Sequence, residues 1–398
     1  MVAVVALMVQ QWLEPFTAGS HMGLLTNGGD LEVYRQGAQQ LAHGDPLYVE
    51  LPVGWFTYPP FAAMIFTPLA YLPGVKAIWM LISFGALTAT VWRCATVLGY
   101  RKDWSLALLS LAAALALDIE AVRGTLWQGQ VNIVLMAIIV GDLTRPAGAR
   151  WRGWSVGVAA GIKLTAIVFV PYLVITRQWR AAATASGAAA ATVVLAWCVS
   201  PPDSTEYWSH AVFQIDRIGT LTHPGNFSIS GILATIWAPS AMPTIGWLIG
   251  VVIAAVSGYY AAYCAHRRGR GLVALSIVGL MSCVVPPLAW GHHWVWTVPL
   301  LAVVIDRAVR STGGARWAWA GAAGTIYLSV FMWFSAWLYR TASSLGSGYP
   351  TYVEALDAAI NQLTRFDKLV AVAHQPVLFF VVAVVTIMVS KVPRHPRV

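Results

Sequence analysis

The sequence predicts an all-α polytopic membrane protein, a single integral domain over residues 1–398 with about ten full crossings and one re-entrant helix pair. Three observations carry this expectation. Hydrophobic residues make up 58% of the chain and charged residues only 10%, with a mean hydropathy of +0.66, which is far from the balance of a water-soluble domain. Apolar runs approaching the roughly 20 residues of a spanning helix recur from end to end. The charges between the runs are sorted, basic and acidic residues falling into alternating connecting segments.

The expected spans lie near 1–13, 75–98, 104–117, 129–142, 180–200, 244–266, 272–287, 293–306, 317–339 and 376–390. The first is short, with neither a basic leader nor a small-residue cleavage site, and reads as a retained helix. One set of connections holds Arg101 and Lys102, Arg145, Arg150 and Arg152, Arg177 and Arg180, Arg267, Arg268 and Arg270, Arg307, Arg310 and Arg316, and Lys391, Arg394 and Arg397. By the positive-inside rule that side is cytoplasmic. Thirteen of the sixteen Asp and Glu residues lie on the other side. The net charge of +9 is therefore a topology signal and not a footprint for nucleic acid. The expected setting is the plasma (inner) membrane, with the working face toward the periplasm or outside.

The alternation holds only if 153-GWSVGVAAGIKLTAIVFVPYLVIT-176 does not cross, because basic clusters flank both of its ends. Two short helices that dip in and return satisfy this, with the non-helical turn surrounded by protein or a polar cavity. Lys163 sits at the middle of that segment. An intramembrane lysine with no acidic neighbour in sequence is a candidate for anion binding, since an anionic ligand offsets the cost of burying an ammonium. The alternative is that it snorkels to an interface. Cys94, Cys198, Cys264 and Cys283 all lie inside apolar runs, so no disulfide framework or thiolate metal site is expected.

Three external loops, 17–74, 201–231 and 340–375, are long enough to build a site. In the first, 30-DLEVYRQGAQQLAHG-44 places Leu31, Tyr34, Ala38 and Leu41 at helical spacing, with Asp30 as N-cap and Gly44 as terminator. This predicts an amphipathic surface helix. The following 57-TYPPFAAMIFTPLAYLP-73 is too short to span and predicts an interfacial or re-entrant helix. The second loop opens on another surface helix and ends in a polar cluster of Asn226, Ser228 and Ser230. The twenty tryptophans cluster near segment ends, where indoles favour the membrane interface.

For His292 and His293 in 286-PPLAWGHHWVWTVP-299 three readings stand open. A metal site is poorly served by adjacent helical positions without a partner at i+4. A structural pair at the interface is the second reading. The third is anion recognition, in which imidazole N–H groups hold a phosphate and stabilise the charge it gains as a leaving group. Neither a P-loop nor a dinucleotide-binding glycine turn is present, so a lipid-linked phosphate donor suits an external site better than a nucleotide sugar.

The segments 30-DLEVYRQGAQQLAHGDPLY-48, 58-YPP-60, 129-GQVN-132, 161-GIKLTA-166, 225-GNFSISG-231 and 286-PPLAWGHHWVW-296, in that order, resemble glycosyltransferase family 87. These are the polyprenol-phosphate-mannose-dependent α-mannosyltransferases of mycobacteria and related actinobacteria, with the GT-C membrane fold. The resemblance implies inverting transfer of mannose from polyprenol-phosphate-mannose to a mannosylated phosphatidylinositol glycolipid in the membrane, forming an α-(1→2) linkage, as in addition of a fifth mannose. Branching of lipomannan or lipoarabinomannan is the alternative within the family, and transport of a lipid-linked sugar the alternative outside it. Asp30 would be the general base, while His292, His293 and Lys163 would surround the donor phosphate. Gln130, Asn132, Asn226 and Tyr58 would contact sugar or acceptor, with Glu120 and Arg123 as further candidates beside 129-GQVN-132. No cofactor is expected and no metal is required, because the phosphate leaves already charged.

Overall fold

The computed structural model describes residues 28–52, 54–100, 112–113, 115–331, 358 and 360–391, and they are predominantly helical. Helix α1 (Gly29–His43) opens the first external loop, followed by a small antiparallel hairpin of β1 (Glu50–Leu51) and β2 (Gly54–Trp55) and by α2 (Pro60–Ala70). The predicted N-cap is corrected here. The helix starts at Gly29 with Gly28 at the N-cap position, two residues earlier than expected, and Asp30 sits in the first turn without a capping bond. Its charge still complements the exposed N–H groups of that turn. Leu31, Val33, Tyr34 and Ala38 of α1 are buried, and the helix lies against α2. Gly44 ends it in the left-handed conformation as expected.

Helices α3 (Val75–Val97), α4 (Glu120–Gln128) and α5 (Asn132–Leu143) follow, then α6 (Trp154–Ile162), a 3-10 turn over Leu164–Val168, α7 (Phe169–Ile175), α8 (Trp179–Val199) and α9 (Pro201–Ser209). The second half comprises α10 (Ile229–Trp237), α11 (Thr244–Arg267), α12 (Gly271–Val284), a 3-10 turn over Gly291–Trp296, α13 (Thr297–Arg310), α14 (Gly313–Ser329) and α15 (Arg365–Lys391). Among the described residues, four helices are long and apolar enough to cross a membrane: α3, α8, α11 and α15 through Ser390. A fifth arises if α4 and α5, bent by 119° at their junction, count as one broken span.

Several of the expected crossings differ from this. The segment 1–13, most of 104–117 and the end of 317–339 lie outside the described residues, as does loop 340–375 up to residue 357. The expected span 272–287 is a helix of only 14 residues, about 21 Å at 1.5 Å per residue and short of a ~30 Å hydrocarbon core. The span at 293–306 begins as a 3-10 turn and becomes α-helical only at Thr297. The last helix begins at Arg365 rather than 376, because its internal Pro376 costs a single backbone hydrogen bond without ending the helix.

The segment 153–176 turns back on itself as predicted. Gly153 lies against Ala181, Gly157 against Ala185 and Gly161 against Thr192, so α6 runs alongside α8 in the same direction. The chain must therefore return through α7 before α8 can begin. The two ends of the segment are joined directly, Arg152 Nη1 donating to Gln178 Oε1 at 2.6 Å. Asp142 seats the start of α6, accepting from Gly153 N at 2.7 Å and Ser155 Oγ at 2.8 Å. The helix breaks at Lys163, whose φ of −142° and ψ of 109° are extended.

A Cβ at Gly157 would overlap the Ala185 carbonyl and the Ala188 side chain. Gly157→Val should therefore push α6 off α8 and lower stability by about 1–3 kcal/mol. Gly141→Ala, facing open space in α5, should leave stability unchanged or raise it slightly. Thermal unfolding of the purified variants in detergent checks the pair, and equal effects would refute the close packing.

Candidate active site

The chain between α4 and α5 explains the motif 129-GQVN-132. Gly129 adopts φ 69°, its N–H bonding to Leu126 O while Gln130 N bonds to Thr125 O at 2.8 Å, a Schellman termination. A side chain there would also collide with Leu31 of α1. Glycine is thus required both for its backbone angle and for the approach of α1. Lys76, at the start of α3, donates to the last carbonyls of α4, Leu126 O at 2.9 Å and Trp127 O at 2.6 Å. The sharp turn that results delivers Gln130 toward α1 and Asn132 toward the α6–α7 break.

Gln130 is buried and saturated. Its Oε1 accepts from Val131 N at 3.0 Å and from the Tyr34 hydroxyl. The backbone donor fixes the amide orientation, so Nε2 is the donor to Asp30 Oδ2 and to Tyr58 Oη, each at 3.0 Å. Tyr34 is stacked on Phe66, with ring centroids 4.2 Å apart, which holds its hydroxyl in place. Asp30 is thereby oriented by a network built from α1, α2 and the α4–α5 turn. Burial raises its pKa to about 6, although the ammonium groups of Lys163 and Lys76 and the Gln130 bond oppose the shift.

Asn132 makes the second connection. Its Oδ1 accepts from Lys163 Nζ at 2.9 Å and its Nδ2 donates to His292 O at 2.8 Å. Thr125 Oγ1 donates to the same carbonyl at 2.9 Å. Lys163 therefore does not snorkel. Its ammonium points inward and lies 5.9 Å from the Tyr58 ring centroid. The two histidines diverge, with ring centroids 4.7 Å apart and planes at 77°. His292 Nε2 lies 3.7 Å from Asp30 Oδ2 and has no hydrogen-bond partner among the described residues. His293 instead forms part of the cavity wall.

That cavity has a volume of about 430 Å³ and is walled by Asp30, Tyr58, Gln130, Lys163 and His293, together with Trp55, Tyr207, Arg217 and Trp290. It adjoins an apolar groove of about 300 Å³ through the shared residues Pro59 and Leu164. Apart from Thr192 and Trp208, the groove is lined wholly by apolar residues of 59–61, α6, the 3-10 turn and α8. The cavity that holds these charged groups and the apolar groove thus meet where the chain breaks between α6 and α7.

Not every expected site residue is brought here. Asn226 is fully buried behind the cavity, donating to Leu221 O and Pro287 O and accepting from Ala289 N and Ser228 Oγ. It clamps 286–290, the strand-like approach to the histidines, and does not line the cavity. Glu120 and Arg123 lie on α4 and also stand outside the cavity wall. Tyr34, Lys76, Trp55, Tyr207 and Arg217 were not singled out by the sequence. Tyr34 occupied an apolar helical register, and the others carry no motif. Among the described residues, no three His, Cys, Asp or Glu side chains converge as a metal site would require.

Comparison with known proteins bears on this arrangement. The model of glycosyltransferase family 87 matches residues 56–287. The chain is 32% identical over 342 residues to a polyprenol-phosphate-mannose-dependent alpha-(1-2)-phosphatidylinositol mannoside mannosyltransferase of Mycolicibacterium smegmatis, covering 76% of this chain and 74% of the relative. It is 34% identical over 314 residues to the phosphatidylinositol pentamannoside mannosyltransferase of the same organism, covering 74% and 75%. A Mycobacterium tuberculosis relative bearing that second name is 31% identical over 361 residues, covering 86% and 82%. No solved structure matches the chain. A family match across more than half of the sequence, with the motif residues 129-GQVN-132 and 161-GIKLTA-166 inside it, places this chain in glycosyltransferase family 87.

Proposed function

We propose that the protein transfers mannose from polyprenol-phosphate-mannose to the 2-hydroxyl of a mannosylated phosphatidylinositol, with inversion, at the external face of the plasma membrane. The observation that carries this reading is the meeting of a half-buried carboxylate, a half-buried ammonium and an imidazole at one cavity that adjoins an apolar groove. The names of the relatives supply the donor and acceptor classes. Relatives named for phosphatidylinositol mannoside and for its pentamannoside are similar to nearly the same degree, 32% and 34%. Addition of the fifth mannose therefore rests on the sequence resemblance.

In this reading the donor's prenyl chain lies in the groove beside α8 and its phosphate reaches Lys163 and His293. The acceptor hydroxyl attacks the anomeric carbon from the face opposite the phosphate. The new C–O bond forms as the old one breaks, and the released electron pair stays on the phosphate, where Lys163 stabilises it. Asp30 accepts the hydroxyl proton. His292, beside Asp30, offers its unpartnered Nε2 to the protonated acid, whose Oδ2 lies 3.7 Å away. The phosphate leaves without protonation, so the scheme needs no metal.

Asp30→Asn should lower kcat by roughly 10²–10⁴ while leaving donor KM little changed, the range expected for removal of a general base. Steady-state transfer with polyprenol-phosphate-mannose and a mannosylated glycolipid checks it, and wild-type turnover would remove Asp30 from the scheme. The base form is lost as pH falls through the raised pKa of Asp30, so kcat/KM should drop below about pH 6. An acid limb near 4, the ordinary carboxylate value, would contradict the burial of Asp30. Val193→Trp, which fills the groove, should raise KM for long-chain donors and spare donors truncated to one or two prenyl units. Equal KM changes for both would place the chain elsewhere.

A further inference from the structure

In 163-KLTAIV-168 a single hydroxyl side chain, Thr165, follows Lys163 by two positions among apolar neighbours. The residues Leu164–Val168 form the 3-10 turn, in which positions three apart share a face. Leu164 and Ile167 both line the apolar groove, whereas Ala166 lines, together with Phe169, a small chamber of about 40 Å³. Thr165 falls between those faces, a third of a turn from each. It borders both the main cavity and the chamber, and Lys163 and His293 are the other residues common to the two. At roughly 10–15 Å³ of such space per water, the chamber has room for a few waters and not for a sugar ring. A ligand held by these three residues therefore lies on the cavity side.

A threonine inside a helix commonly spends its hydroxyl on a carbonyl three or four residues back. Thr67, Thr90 and Thr176 do so, donating to Ala63 O at 2.9 Å, Ala86 O at 2.9 Å and Tyr172 O at 2.7 Å. Thr165 does not, because the extended backbone of Lys163 puts Gly161 and Ile162 in the preceding helix and not beneath it. Its hydroxyl has no protein partner among the described residues, and the side chain is half-exposed. Next to it, the Lys163 ammonium is steadied by Asn132 Oδ1 at 2.9 Å and keeps its remaining N–H donors. One turn of chain thus offers an unspent hydroxyl beside an ammonium on one face and two branched apolar side chains on another. A bare anion would leave Leu164 and Ile167 unused, and a sugar would leave the groove empty. The ligand that uses both faces is an amphiphile whose phosphate is joined directly to an apolar chain.

We infer that Thr165 donates its hydroxyl hydrogen bond to the phosphate of a prenyl phosphate beside Lys163, while Leu164 and Ile167 hold the first isoprene units. The 3-10 turn thus reads the joint between chain and phosphate as one feature. During transfer the phosphate gains a negative charge as the bond to the sugar breaks, and an O–H donor aimed at it binds more strongly as that charge grows. The inference rests on the transferase reading above, and binding is therefore measured apart from turnover.

The test measures dissociation constants of farnesyl phosphate, farnesol and inorganic phosphate by calorimetry on the full chain in nanodiscs, with transfer from polyprenol-phosphate-mannose followed in parallel. Wild type should bind farnesyl phosphate more tightly than either of the others. Thr165→Val keeps the shape and removes the hydroxyl; it should weaken farnesyl phosphate about tenfold or more, the loss expected for a hydrogen bond to a charged group, and leave farnesol unchanged. Thr165→Ser returns the hydroxyl and should bind farnesyl phosphate as wild type does, which separates the donor from packing. In turnover the valine variant should lower kcat/KM for the donor, with the acceptor KM and the acid limb of the pH profile unmoved. Unchanged farnesyl phosphate affinity in Thr165→Val, equal losses for farnesyl phosphate and farnesol, or a loss that serine does not restore would overturn the inference. So would inorganic phosphate binding to wild type as tightly as farnesyl phosphate, which would mark an anion site independent of the groove. Farnesyl phosphate binding that depends on Thr165 without any mannose transfer would sink the transferase reading and leave the role of Thr165 standing.

Discussion

The structure depends on keeping a half-buried carboxylate and a half-buried ammonium around one cavity without letting them neutralise each other by direct contact. Asp30 is held by Gln130 and Lys163 by Asn132, and the two amides belong to one four-residue turn. Burying either charge alone would cost several kcal/mol. Shared burial, with each charge hydrogen-bonded to a neutral amide, moderates that cost while keeping both groups available to a ligand. The 119° bend between α4 and α5 lies at this same turn, where Gly129 ends α4 and the chain passes through Gln130 into Asn132.

The rest of the architecture serves that turn. Lys76 closes the α4 terminus, Gly129 admits α1, and the α6–α8 packing puts Lys163 at the break between α6 and α7. Asn132 and Thr125 both bond the His292 carbonyl, which couples the orientation of the histidine pair to the same bend. The clamp at Asn226 holds the chain that leads into them. A site assembled from five separate segments is thereby fixed by backbone and amide contacts rather than by ion pairs.

Much of this was legible in the sequence. Apolar runs located α3, α8 and α11 within a residue or so, and the charge pattern required residues 153–176 to return, as the Arg152–Gln178 bond shows they do. Broken and short helices were not legible, because hydropathy counts apolar residues without registering the bend at Gly129 or the 3-10 start at Gly291. The motifs marked the neighbourhood of Asp30, Lys163, Gln130 and the histidines. They could not say whether an amide faces a ligand or its own chain, and so Asn226 was expected in the site that it only supports. Tyr34 read as an apolar helix position since its ring is one; its hydroxyl matters only once α1 meets the α4–α5 turn. Arg217 gave no signal at all, its aromatic neighbours being 162 and 169 residues away in the chain.

The central claim is that one cavity holds the donor phosphate at Lys163 and the accepting hydroxyl at Asp30. It is tested most directly by a structure with a non-transferable polyprenol-phosphate-mannose analogue and a mannosylated acceptor bound. The account predicts the phosphate within hydrogen-bonding distance of Lys163 Nζ, the prenyl chain along α8, and the acceptor 2-hydroxyl on Asp30. A phosphate seated away from Lys163, or an acceptor hydroxyl out of reach of Asp30, would contradict it.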